Sequence, residues 1–308
     1  MTTGANAMPD SRLGSPVAAP VEVPTMRRMY WLMRRELWEH RWLYLVPLAI
    51  TVLILVGSLI SAAGLPETMR AAAALLAEQQ LKTIQEPYLM AALLLMGATF
   101  VVGLFYCLEA LHGERRDRSI LFWKSFPVSD IETVLAKASI PVVFLPLLSF
   151  VLTLAVHVVM LLVSIAVLAG SRLGGAVLWT HLPLFQLWMA LLYHLLILHG
   201  LWYSPIYGWL LLVSAWSRRP PYLWAFLPLL AIGIFEKFAF NTHYLLRLLQ
   251  YRFIGGPEGG EITRATMHPL AQISPGKFLG SPDLWIGVAL ATAFLIAAAR
   301  LRRFRVPN

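Results

Sequence analysis

Residues 138–171 read Ala-Ser-Ile-Pro-Val-Val-Phe-Leu-Pro-Leu-Leu-Ser-Phe-Val-Leu-Thr-Leu-Ala-Val-His-Val-Val-Met-Leu-Leu-Val-Ser-Ile-Ala-Val-Leu-Ala-Gly-Ser, 34 residues between Lys137 and Arg172 without one charged side chain. A helix needs about 20 apolar residues to cross the hydrocarbon core of a bilayer. This stretch therefore holds one long span. Other uncharged runs cover 42–66 (25 residues), 87–108 (22), 173–217 (45), and 220–235 and 284–299 (16 each).

The 45-residue run has room for two spans, but Gly174, Gly175, His181 and Pro183 mark its beginning as a loop. A second span starting at Pro205 would have only about 12 residues before Arg218, too few to cross. One span kinked at Pro205 is the reading for 183–216. The two short runs reach spanning length by taking in Glu236 and Lys237, and Leu279 to Asp283, respectively. The expected spans are then about 43–64, 87–111, 138–169, 183–216, 220–242 and 280–300. The fold class is an all-α integral membrane protein with six transmembrane helices.

Composition agrees. Of the 308 residues 58% are hydrophobic and 13% charged, against about half and a quarter in soluble domains. Cys107 is alone, which excludes a disulfide scaffold. The net charge of +9 does not point to nucleic acid, because the basic residues stand at the ends of apolar runs. With a cytoplasmic N-terminus, 17 of the 25 Lys and Arg residues fall on the cytoplasmic side, which orients the chain. An even span count puts the C-terminus there too. Residues 1–25 mix Gly, Pro and Ala with acidic residues and have no apolar core, so they read as a disordered cytoplasmic tail.

Residues 26–42, Met-Arg-Arg-Met-Tyr-Trp-Leu-Met-Arg-Arg-Glu-Leu-Trp-Glu-His-Arg-Trp, place Met26, Tyr30, Met33 and Leu37 on one helix face, and Arg27, Arg34 and Arg41 recur every seven residues. Such a helix suits the lipid headgroup layer. It serves as an interfacial elbow, as a simple positive anchor, or as both.

Between the second and third spans the chain reads Glu109-Ala-Leu-His-Gly-Glu-Arg-Arg-Asp-Arg-Ser-Ile-Leu-Phe-Trp-Lys-Ser-Phe-Pro-Val-Ser-Asp-Ile-Glu132. Ile120, Leu121, Trp123 and Phe126 are bulky apolar residues in a segment assigned to the cytoplasm, surrounded by Glu114, Arg115, Arg116, Asp117, Arg118 and Lys124. Aromatics rimmed by charge are what a docking surface needs; anchoring the loop to the membrane surface is the alternative. Ser129 and Glu132 form an S-x-x-E capping box for the next helix.

This pattern resembles the membrane subunit of ABC-2 type ATP-binding-cassette exporters, at Glu114, Arg115, Ser119, Leu121, Pro127, Val128, Ser129 and Lys137, with Arg35-Glu36 before the first span and the six-span count in support. Phe122-Trp123 depart from it, being bulkier than the usual aliphatics. The resemblance covers residues 26–305. It implies a coupling helix over 114–126, docked on a separate nucleotide-binding ATPase subunit that holds ATP and magnesium, a second copy of the chain as dimer partner, and the bacterial inner membrane as location. The chain has no G-x-x-x-x-G-K-[ST] phosphate loop, so it is expected to be no enzyme by itself and to hold no cofactor or metal.

Within the spans, Glu236 and Lys237 are either a polar gate near the outer mouth or an ordinary helix end. His157, His194 and His199 lack metal-ligand spacing, 194 and 199 being five apart, and read as interhelical hydrogen bonders or cavity lining. Met90, Met96, Phe100, Phe105 and Tyr106 line an apolar pathway or simply pack. A hydrophobic or amphipathic cargo follows from the first of these options. An ion-coupled secondary transporter and an intramembrane lipid-modifying enzyme are the rival functions. Outside the membrane, Tyr244–Tyr251 has the look of a short helix on the outer surface.

Overall fold

A computed structural model describes residues 24–73, 75–117, 128–171, 184–254 and 279–304, and among them the secondary structure is helical. The order is α1 (Thr25–Glu39), α2 (Trp42–Ala62), α3 (Leu65–Ala73), α4 (Ala77–Arg116), α5 (Asp130–Ser139), α6 (Leu145–Gly170), α7 (Leu184–Tyr193), α8 (Ser204–Trp216), α9 (Pro221–Phe240), α10 (Tyr244–Ile254) and α11 (Pro282–Phe304). Two π-helical segments complete it, Ile140–Phe144 between α5 and α6 and His194–Trp202 after α7. Five helical stretches are long and apolar enough to cross a membrane: α2, α4, the run Asp130–Gly170, α9 and α11.

The expected fourth span is the exception to the six. Residues 184–216 do not form one kinked helix but α7, a π segment and α8, separated at Tyr203. Pro205 has no N–H and its ring crowds the carbonyl four residues back. That carbonyl, of Leu201, instead accepts from the Ser204 hydroxyl at 2.6 Å. The helix is interrupted at Tyr203 where sequence suggests a bend.

The third span behaves differently. Pro141 and Pro146 do not sever it, because the chain accommodates the missing donors in the π turn 140–144 and stays helical over 41 residues. This turn packs against Gly103 of α4, where a Cβ would lie in ordinary contact, 3.4 Å from Pro141 and from Leu145.

The second span also exceeds its expected limits, 87–111. Pro87 sits inside α4, which starts ten residues earlier and continues through Arg116. The core divides into two large clusters and a small third one, Trp202 with Leu284. One large cluster gathers Leu43, Tyr106, Val134, Ile140, Leu145, Tyr207, Leu211 and Ala298; the other Ile84, Tyr88, Leu95, Val156, Leu161, Leu168 and Leu184. The helix α9 is the least packed of the five candidate spans.

Candidate functional site

Below the first core cluster, α1, α4, α5 and α11 bring six charged side chains together. The capping box at the start of α5 is present: Ser129 Oγ accepts from the Glu132 backbone N–H at 3.1 Å, and Glu132 Oε2 accepts from the Ser129 N–H at 2.9 Å. The helix it starts points Thr133, Val134 and Lys137 inward. Lys137 has no exposed surface. Its ammonium donates to both oxygens of Glu36, at 2.8 and 2.9 Å, and lies 3.2 Å from Glu114 Oε1.

Arg35 bridges the same two carboxylates at 2.7 Å each. From the last helix, Arg302 reaches Glu114 Oε2 at 3.2 Å and Asp130 Oδ1 at 2.6 Å. The Tyr106 hydroxyl donates to Glu36 Oε2 at 2.8 Å. Three cations and three anions sum to zero, which makes the burial tolerable, since an unpaired buried ion costs several kcal/mol. Burial alone would raise the Glu36 carboxyl; Lys137, then Arg35, outweigh this and hold it below the usual carboxylate range.

At the rim, Arg28 pairs with Glu132 at 3.1 Å. Glu36, Glu39 and His40 offer three donor atoms within 4.8 Å of one another. The Glu36 oxygens already accept from Lys137, Arg35 and Tyr106, so a metal ion would have to displace an ammonium group.

This geometry revises the expected docking surface. The sequence pattern places Glu114 and Arg115 on a separate helix facing a partner, but residues 114–116 are the last turn of α4. Glu114 is buried among its cations. Arg115 turns to the end of α8, donating to the carbonyls of Ser214 and, at 2.9 Å, Ser217, where a cation satisfies the helix C-terminus. Ser214 Oγ completes the junction by accepting from the Leu111 and His112 N–H groups and donating to the Leu108 carbonyl. Arg116 and Asp117 remain exposed and pair with each other, Arg116 also with Glu109. Arg118, Ile120, Leu121, Trp123, Lys124 and Phe126 lie outside the described residues.

Of the other candidates, Phe100 and His199 meet, and the rest lie apart. Glu236 takes the contacts of a helix end: it accepts from Thr242 Oγ1 at 2.8 Å and from the N–H groups of Tyr244 and Leu245, holding the first turn of α10. Lys237 lies 3.5 Å from His243. His194 bonds back to the Ala190 carbonyl at 3.1 Å, whereas His199 meets the Tyr207 hydroxyl at 3.0 Å and packs against Phe100 and Tyr203. Met90 is exposed and Met96 half-buried. His157 is an interhelical bonder, taking the Trp188 indole N–H at 3.2 Å on Nδ1 and donating from Nε2 to the Tyr88 carbonyl at 2.9 Å.

Sequence reasoning misses Asp130 and Arg302. Arg302 is one of several arginines that orient the chain, and nothing in their number separates a buried one from its exposed neighbours. One of only two acids in a basic helix (Glu36, beside Glu39) and a lone lysine leading a 34-residue uncharged run (Lys137) are the available signals. Compared with protein-family models, with curated proteins and with solved structures, the chain matches none.

Proposed function

We propose that this chain is the permease subunit of an ATP-driven exporter of the ABC-2 type, moving a hydrophobic or amphipathic compound outward with energy supplied by separate ATPase subunits, and acting as a pair of identical chains. In this reading α7, the π segment and α8 together make the fourth of six crossings, and the ionic cluster lies on the cytoplasmic side.

The observation that supports it is the cluster's position. Glu114 is the first residue of the expected coupling helix, 114–126, Asp130 follows its end by four residues, and both carboxylates meet Arg302. Both flanks of the expected coupling segment are thereby tied to one joint, which also grips α1 through Arg35 and Glu36. A partner pushing on that segment moves α1, α4, α5 and α11 together, because each charge has its compensation in a neighbouring helix. Such a joint turns a local push into a movement of spans.

The test is a pull-down from detergent-solubilised native membranes, comparing wild type with a Leu121→Asp/Trp123→Asp variant. Co-purification of an ATPase with wild type alone is the expected result. A wild type that brings down no ATPase defeats the reading, as does cargo movement driven by an ion gradient without ATP.

A further inference from the structure

The two faces of α1 use their charges differently. On the packed side, Arg28 is engaged by Glu132, and Arg35 by Glu36 and Glu114. On the other side, Arg27, Trp31, Arg34 and Trp38 recur at i, i+4, i+7 and i+11 and are exposed, and Arg41, also exposed, follows in the turn between α1 and α2. Among the described residues, no carboxylate pairs with Arg27, Arg34 or Arg41. Glu39, the acidic neighbour, is engaged with Arg35 Nε at 3.5 Å.

The Arg34 guanidinium lies over two indoles, 5.1 Å from the Trp31 ring centre and 5.2 Å from that of Trp38. Stacking holds its plane while its N–H edge stays available for a bidentate oxyanion. The start of α2 sets the level of this site. Only His40 and Arg41 separate α1 from α2, and the exposed apolar side of α2 begins at Leu45 and Val46. Arg41 thus stands about one helical turn, roughly 6 Å, from the band that meets acyl chains in a membrane. Tryptophan and arginine at that depth sit among headgroups.

We propose that this arginine–tryptophan stripe on α1 binds the headgroup of an anionic phospholipid, with Arg34 donating to the phosphate between Trp31 and Trp38, and Arg27 and Arg41 extending the positive field at either end. Charge selects this occupant: Arg27 and Arg34 on the stripe and Arg41 just beyond it have no carboxylate partner among the described residues, and they lie beside an apolar span. The site stands independently of the transport reading and needs only that α2 lies in a bilayer.

Native mass spectrometry of the full-length protein, released from an uncharged detergent after titration with phosphatidylglycerol or phosphatidylcholine, counts the lipid retained. Wild type is expected to prefer phosphatidylglycerol. Arg34→Gln weakens that preference about fivefold, the effect of one arginine near an anionic surface, and Trp31→Ala/Trp38→Ala weakens it comparably. Arg34→Lys, which keeps the charge and disturbs folding least, also loses affinity because it cannot stack as a plane. Equal retention of both lipids by wild type overturns the proposal. So does an undiminished preference in Arg34→Gln and Arg34→Lys, or complete displacement of phosphatidylglycerol by millimolar inorganic phosphate.

Discussion

Lys137 donates to both carboxylate oxygens of Glu36 across 101 residues of chain, and neither side chain has appreciable contact with solvent. A buried pair of this kind is held by its compensation rather than by its net strength: removing one partner leaves the other uncompensated, at about 3–5 kcal/mol, whereas removing both is far cheaper. Lys137→Met is therefore expected to lower the thermal midpoint of the detergent-solubilised full chain sharply. The Glu36→Gln/Lys137→Met double variant, again neutral, recovers at least half of that loss. A single variant as stable as wild type would show that the cluster is not closed to water.

The same pair predicts an acid limb. The Glu36 carboxyl is held below its usual range in the folded chain, so folding binds fewer protons there than the unfolded chain does. Its contribution is fully present above the unfolded value near pH 4.3 and is lost as pH falls through the lower folded value. Midpoints measured from pH 7 to pH 3 should fall more steeply in wild type than in Glu36→Gln, which has no carboxyl to protonate at this position. Parallel curves would assign the acid sensitivity to other groups.

Helix locations are legible in the sequence because they depend on long apolar runs and on local chemistry: Ser129 and Glu132 predict a cap that is present atom for atom. The break at Tyr203 is harder to read, since a proline within an apolar run is compatible with a kink or an interruption. The ionic cluster is beyond reach as a whole. Arg35, Glu114, Asp130 and Arg302 are charged residues at helix ends, where charge is ordinary, and only the packing of four distant helices turns them inward. Glu236 shows the reverse case, an acid whose membrane depth suggests function and whose partners are the two backbone amides and one hydroxyl of the next turn.

The cap also has a measurable weight. Ser129→Ala removes the acceptor of the Glu132 N–H and should cost about 1 kcal/mol, with faster hydrogen exchange confined to the first turn of α5. Ser129→Asp, which restores an acceptor, should recover most of it. An unchanged exchange rate in Ser129→Ala would mean that packing alone holds this turn.

Close helix contact gives a further contrast. A Cβ at Gly208 of α8 would lie 3.2 Å from the Ala291 carbonyl oxygen and 3.3 Å from its Cα on α11, and backbone cannot withdraw as a flexible side chain can. Gly208→Val is expected to destabilise by about 1–3 kcal/mol through overpacking. At Gly97, where nothing lies within 4 Å, the change to Ala removes a glycine from a helix interior and should be neutral or stabilising. Thermal midpoints of the two variants should therefore move apart, and equal midpoints would show that α8 and α11 do not approach this closely.

Glu236 separates gate from cap. Its carboxylate accepts from Thr242, Tyr244 and Leu245, the pattern of an acid at a helix N-terminus, which stabilises that end by satisfying orphan N–H groups. Glu236→Gln keeps an acceptor oxygen but loses the charge, and Glu236→Ala loses both. Hydrogen exchange at residues 244–246 should thus accelerate in the order wild type, Gln, Ala, with α9 itself unchanged. A gate makes a different demand: transport by the reconstituted chain with its energising partner would collapse in both variants equally, and exchange at 244–246 would stay as in wild type. Graded loosening of the first turn of α10 with transport largely retained is the outcome that the observed contacts require.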